Sequence, residues 1–272
     1  MGAALRNQRL LTGVVLAIGL AAGGAVQAAE CGSTGAGYEA WKAATLRDAA
    51  AQGVGERGLQ ALKGTSYSTK TIAADRNQKS FKYSLPKFLQ VRGADTIVAQ
   101  GRSRKAKNAA FYAALEQTYG VPAGVIIAIH GMETGFGGFM GDTNVVSAIS
   151  TLAYDCRRSD FFTPHMLAAL VLVDRGTLSA QSVGAKHGEM GHTQFLPGNA
   201  LAYGVDGNGD GRVDLNNQAD ALTSTANFLA RKGWRRGAGY QEGEPNFAVI
   251  RAWNAATVYQ QAIAIMGAQI DG

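Results

Sequence analysis

Long apolar runs are missing from this 272-residue chain beyond its first 28 residues, and so are dense charge, internal repeats and low-complexity stretches. The first absence excludes a later membrane-crossing helix, which needs about 20 consecutive apolar residues. Charged side chains are 17% of the chain against 46% hydrophobic ones, a balance too apolar for a disordered tail and sufficient for one or two packed units. No zinc-finger spacing, RNA-binding aromatic motif or Lys/Arg-dense helix occurs, so nucleic acid is not an expected partner. Cysteine is reduced to Cys31 and Cys156, the smallest number that can pair.

What is present begins with a secretory signal. Arg6 and Arg9 precede an apolar run over 10–26, and Val26 and Ala28 stand at −3 and −1 of a cleavage site before Ala29. Residues 1–28 therefore read as a signal peptide, and the remaining chain as a soluble, periplasmic protein without a membrane span. Glu30 occupies a position where a lipoprotein signal needs a small residue, so a lipid on Cys31 is not expected. Export favours a Cys31–Cys156 disulfide, worth about 4 to 5 kcal/mol in the chain-entropy model. The alternative is one buried and one free thiol. Loss of Arg6 and Arg9 lowers the formal charge from +6 to +4, a mild excess that suits an anionic polymer such as a bacterial wall.

The pattern along the chain is helical. Short amphipathic helices are predicted over 38–53 and 56–64, each ended by glycine, and the polar segment 66–93 reads as irregular. A long helix is predicted over 104–119, stopped by Gly120. Pro122 opens a buried helix that carries VIIAIHGMET, although a strand could also account for VIIAI. Further helices are predicted over 143–154, 159–175 (with Ser159 or Asp160 as N-cap), 218–231, 246–252 and 257–266. Between them, 184–214 is dense in glycine and short polar residues.

Four segments carry candidate chemistry. Glu133 closes the apolar helix in Gly-Met-Glu-Thr-Gly-Phe-Gly, where the helix dipole and apolar walls both raise a carboxyl pKa and hold a proton for donation. In 188–197, Gln194 can donate to and accept from sugar hydroxyl or acetamido groups, while Met190 and Phe195 offer apolar surface to a sugar ring. Residues 206–217 match the opening of an EF-hand-type loop: Asp206, Asn208 and Asp210 at positions 1, 3 and 5, Gly211 at 6, Arg212 by its carbonyl at 7, Asp214 at 9. Asn217 replaces the usual bidentate Glu at position 12, so calcium there would be weak and structural. Near the end, Trp253, Asn254 and Tyr259 place two aromatics and an amide in one short turn, and Arg157 and Arg158 could face an anionic lactyl or peptide carboxylate. Each has a plainer alternative: a solvated helix-end acid, a turn packing its own hydrophobes, an Asx-turn cluster without metal, core aromatics, solvated helix-start charges.

Taken in this order, Glu133-Thr134 with Gly137, the run 188–197 with Met190-Gly191 and Gln194-Phe195, the calcium-type loop, and Trp253-Asn254 with Tyr259 resemble the lytic murein transglycosylase B family. The resemblance spans about 38–267. It implies a mainly α, lysozyme-like catalytic unit over 29–272, with a helical N-terminal part about 29–104, a core about 105–267, and a glycine-rich insertion carrying the EF-hand-type loop. It also implies a peptidoglycan substrate cut between N-acetylmuramic acid and N-acetylglucosamine without net water, giving a 1,6-anhydro product. Glu133 would be the sole acid/base, no cofactor would be needed for catalysis, and Gln194, Asn254 and Tyr259 would contact sugar. No second catalytic carboxylate stands out, as paired-carboxylate glycosidases require. This chain departs from the family at Ala185, Lys186, His187, Glu189 and Trp253. A hydrolytic muramidase and a non-catalytic wall-binding protein are the alternatives.

Overall fold

The computed structural model describes residues 30–77 and 82–272, so the expected signal peptide lies outside the described residues. The chain is mainly α, as expected. Helices α1 (Tyr38–Ala51) and α2 (Glu56–Lys63) stand where the two short helices were predicted. The segment read as irregular instead contains α3 (Thr69–Arg76) and α4 (Leu85–Arg92). Their signals are local ones: Ser68 caps α3 by accepting the Thr71 amide, and α4 has proline in its first turn and left-handed Gly93 at its end.

The single helix expected over 104–119 is two, α5 (Ala94–Lys107) and α6 (Ala109–Tyr119), broken at Asn108, whose φ of −122° and ψ of 36° are not helical. α5 runs across residue 104, the expected limit of the N-terminal part. It was hidden in sequence because it buries only Ala94, Ile97, Val98 and Gly101.

The core is built on α7 (Ala123–Thr134), in which every residue except Glu133 is buried. Its main neighbour is α13 (Thr257–Asp271). The two approach through glycine: a Cβ on Gly124 would collide with the Gly267 carbonyl oxygen. Nine residues on from Gly124, about 13 Å at 1.5 Å per residue, lies Glu133; eight back from Gly267, about 12 Å, lies Tyr259. Antiparallel packing in this register therefore delivers a tyrosine to the acid.

Strands β1 (Thr143–Asn144) and β2 (Val183–Gly184) form a short antiparallel pair with Thr143 opposite Gly184. The helix expected from residue 143 thus begins later, as α8 (Val145–Tyr154), with Asn144 capping the Ser147 amide at 2.9 Å. In α9 (Ser159–Asp174), Ser159 is already helical and donates to the Ala153 carbonyl at 2.6 Å instead of capping. The glycine-rich region contains α10 (Pro197–Tyr203), and α11 (Gln218–Arg231) and α12 (Phe247–Trp253) follow.

Cys31 and Cys156 are joined, with Cα atoms 4.9 Å apart. Gly32 pairs with the α8–α9 junction through Gly32 N to Tyr154 O (2.9 Å) and Cys156 N to Gly32 O (3.1 Å). A sulfur engaged in this bridge cannot carry a lipid thioether. Among the described residues no helix is long and apolar enough to cross a membrane.

Candidate active site

Glu133 sits in the last turn of α7, stopped by Gly135 at φ 58°. Its Oε1 accepts two hydrogen bonds, from Tyr259 Oη at 2.6 Å and Trp253 Nε1 at 3.1 Å. Oε2 accepts none from the described residues and is not sealed from solvent. The two oxygens are therefore distinct: one anchored to the fold, the other open to a groove and free to carry the proton. Burial pushes the Glu133 carboxyl up from its ordinary value, the Tyr259 and Trp253 donors oppose it, and the Glu189 charge adds to the rise. Tyr259 itself is held well above the usual phenol range by burial and by the neighbouring acid, so it remains a donor.

Glu133 lines both parts of one groove. The smaller part, about 260 Å³, adds Ala185, Gln194 and Phe195. The larger, about 780 Å³, adds Arg92, Arg158, Phe161, Lys232 and Arg251. His187, Glu189, Asn199, Trp253 and Asn254 line both. One arm is thus amide and aromatic, and the other strongly cationic.

The residues singled out from sequence divide between these surfaces and the core. Gln194 stands at φ 56° in the turn closed by the Met190–Phe195 bridge, and its Nε2 donates to Gly191 O (2.8 Å) and Met140 O (3.3 Å). Its side-chain oxygen is left for a ligand. Asn254 Oδ1 accepts the Ala256 amide at 3.0 Å, which leaves its Nδ2 to the groove.

Phe195 is buried with its ring edge-on to Trp253 at 5.0 Å, and Met190 lines neither part of the groove, so neither presents the open sugar-stacking face expected of it. Buried Tyr259 also lines neither part, and its hydroxyl donates to Glu133. Arg157 and Arg158 both pair with buried Asp75, Arg158 at 3.0 Å, and only Arg158 reaches the groove. The groove-lining Glu189, Asn199 and Arg92 were missed. Glu189 had been noted only as a departure from the family, and its carboxylate accepts the His187 amide at 3.2 Å.

The calcium-type loop is closed differently from expectation. Asp206 accepts the amides of Gly209 (2.7 Å), Asp210 (3.2 Å) and Gly211 (2.7 Å), and these hold its carboxyl below the ordinary range. Asn217 caps α11 through the Ala219 amide at 2.8 Å and so does not close the loop. Asp220, fully buried, turns into the loop instead and accepts the amides of Gly207, Asn208 and Asp214. The donor set of carboxylates and an amide oxygen suits a hard cation in kind. It is not drawn together: among the described residues no three acidic, His or Cys side chains converge on a metal position.

The family described as Transglycosylase SLT domain matches residues 37–243. The chain belongs to this family. Membrane-bound lytic murein transglycosylase B of Escherichia coli K12 is 36% identical over 123 residues, 44% of this chain and 34% of that protein, so the chain spans about a third of that relative's length. SltB3 from Pseudomonas aeruginosa, solved in complex with NAG-NAM-pentapeptide, matches with a TM-score of 0.79 at 28% identity, covering 86% of this chain and 80% of that one. The same protein with NAG-anhNAM-pentapeptide matches at 0.78 and 27%, with the same coverage. E. coli Slt35 shares the fold, with a TM-score of 0.73 at 22% identity over 89% and 96% of the two chains.

The hydrogen bonds on Oε1 make a prediction for this family member. Tyr259→Phe removes a donor that favours the ionised carboxylate, so the Glu133 pKa rises further. The alkaline limb of the pH profile of kcat/KM is expected to move to higher pH. A limb that stays in place or moves down shows that Tyr259 does not act on the acid.

Proposed function

We propose that the chain is a periplasmic lytic transglycosylase that cleaves the β-1,4 bond between N-acetylmuramic acid and N-acetylglucosamine in peptidoglycan strands. The observation that carries this reading is the asymmetric carboxyl of Glu133, anchored through Oε1 and open through Oε2 in a groove of about 780 Å³. Oε2–H protonates the glycosidic oxygen as the bond from the muramoyl C1 breaks, with the acetamido oxygen of the same sugar supporting C1. The carboxylate then takes the C6 hydroxyl proton as O6 bonds to C1, closing the 1,6-anhydro ring and restoring the acid. No water is consumed. SltB3 is known with both a muramoyl and an anhydromuramoyl peptide ligand, which supports this product. The cationic arm supports an anionic, peptide-bearing wall strand as partner, and the disulfide supports an oxidising compartment.

Hydrolysis is the second reading, and Glu189 favours it, because it brings a second carboxylate into the same groove as Glu133. Digestion of purified sacculi followed by mass spectrometry separates the two. Anhydro termini are expected; reducing muramic acid termini that disappear in Glu189→Gln would establish hydrolysis instead.

We also propose weak structural calcium at the 206–217 loop, with Asp220 in place of Asn217 as the closing carboxylate. Binding is weak because Asp206 and Asp210 must leave amide partners to converge. At tenfold excess over its dissociation constant, calcium contributes about 1.4 kcal/mol. The expected rise in Tm is therefore about 3 to 6 °C, reversed by a chelator and not reproduced by magnesium. Superimposable melting curves with calcium and chelator remove calcium from the loop.

A further inference from the structure

The catalytic helix and the groove-lining turn meet through two histidines that the proposed reaction does not use. His130, one helical turn before Glu133, is fully buried, and its Nε2 lies 2.9 Å from Nδ1 of His192, two residues before Gln194. His130 Nδ1 is buried without a hydrogen-bond partner, and an orphaned lone pair there costs less than an orphaned N–H, so His130 carries its hydrogen on Nε2 and donates it to His192 Nδ1. His192 then carries its own hydrogen on Nε2, and the neighbouring Asn216 backbone favours the protonated ring. Burial pushes His130 down to about 3 and lowers His192 as well, with Arg104 disfavouring charge on both and Asp214 favouring it on His192. One proton per ring is the neutral-pH state.

The surroundings are shaped to this pair. Thr134, beside Glu133, donates from Oγ1 to the His192 carbonyl at 2.7 Å and accepts the Gly137 amide at 2.9 Å. Gly137 stands at φ 84°, where a Cβ would collide with the His192 ring. On the far side, the His192 amide donates to the Leu215 carbonyl at 3.0 Å, so the turn is also bound to the end of the 206–217 loop. The insertion, the groove wall and the catalytic helix are thereby joined in sequence.

We propose that His130 and His192 are positioning residues. The directed bond from His130 Nε2–H to His192 Nδ1, with the His192 amide held by the Leu215 carbonyl, sets the separation between Glu133 and the wall that carries Gln194, with the 206–217 loop as its buttress. This rests on the reading of Glu133 as the acid/base. A displacement of about 1 Å at such a site can cost up to about 100-fold in rate.

The test uses the full chain, soluble sacculus fragments as substrate, and three variants. His130→Leu keeps the buried volume and removes the donor; it is expected to lose about tenfold in kcat with KM changed less than about twofold. His130→Gln places an amide N–H where Nε2–H was and is expected to restore kcat to within about threefold of wild type. His192→Leu removes the acceptor for His130 Nε2–H and is expected to be slow like the His130→Leu variant. Wild-type kcat in His130→Leu overturns the proposal, as does a folded His130→Gln that is as slow as His130→Leu. Nitrogen-15 spectra of the wild-type imidazoles read the bond without turnover: both rings should be protonated at Nε2, and the opposite tautomer at either ring overturns it. If wild type releases no muropeptide while this pattern is present, the reading of the reaction fails and the strut stands.

Discussion

Glu133→Gln is expected to abolish release of muropeptides from sacculi, a fall on the order of 10³-fold or more, because in the proposed reaction this one carboxyl serves as both acid and base. The fold should survive. Glutamine keeps the oxygen that accepts from Tyr259 Oη and Trp253 Nε1, and it changes only the atom facing the groove. The sign of the stability change is set by the raised carboxyl pKa. A group whose folded pKa lies above its unfolded value contributes stability that is present below the unfolded pKa and lost as pH rises through the folded pKa. Above the raised folded pKa the wild type has lost that contribution, and neutral glutamine has no charge to bury. The variant is therefore expected to melt at or above the wild-type temperature on the alkaline side of that pKa, with the advantage shrinking as pH falls through it. Retained lytic activity removes Glu133 from the chemistry. A large drop in Tm would instead show that the carboxylate is a structural ion. In wild type, the same proton requirement predicts loss of kcat/KM as pH rises through the elevated Glu133 pKa.

The helix that bears this acid was legible because all its signals are local: Pro122 at its start, an apolar side chain at nearly every position, and glycine after it. The hydrogen-bond partners of its carboxyl are not local. Tyr259 and Trp253 lie 126 and 120 residues away. Sequence could show only that they were aromatics beside an amide, and sugar stacking was the natural role for them. The Tyr259 bond to Glu133 follows from the Gly124–Gly267 approach of α7 and α13, a packing register that no spacing reveals. The same limit hid His130 and His192, 62 residues apart, each plausible as a residue of its own segment. Arg157 and Arg158 were read as facing substrate or solvent because buried Asp75 sits in a segment whose polar faces did not suggest a helix. The errors at α3, α4 and α5 share one cause. These helices bury few residues, so their caps at Ser68 and Gly93 carried more information than their hydrophobic pattern.

Replacing Cys31 and Cys156 together by alanine is expected to be the largest stability change available without touching the groove. The bridge spans 125 residues, and for a loop of this length the chain-entropy model assigns about 5 kcal/mol. For a domain of this size that corresponds to about 10 to 20 °C in Tm. The bridge has local consequences as well. It holds Gly32 against the α8–α9 junction and places Thr34 to accept from Tyr154 Oη at 2.8 Å, a fit that leaves no space for a Cβ on Gly32. Next to this junction, buried Asp155 pairs with Arg76 at 2.8 Å, and Asp75 holds Arg157 and Arg158. Neither cysteine lines the groove, and Glu133 is anchored from α12 and α13. Below its lowered melting point the double variant should therefore retain wild-type kcat, with the change confined to Tm and to loss of any effect of reducing agents on it. A reductant-insensitive Tm in wild type would mean that the pair contributes nothing in solution. A loss of kcat in the still-folded variant would show that the α8–α9 junction, through Arg158, reaches the reaction itself.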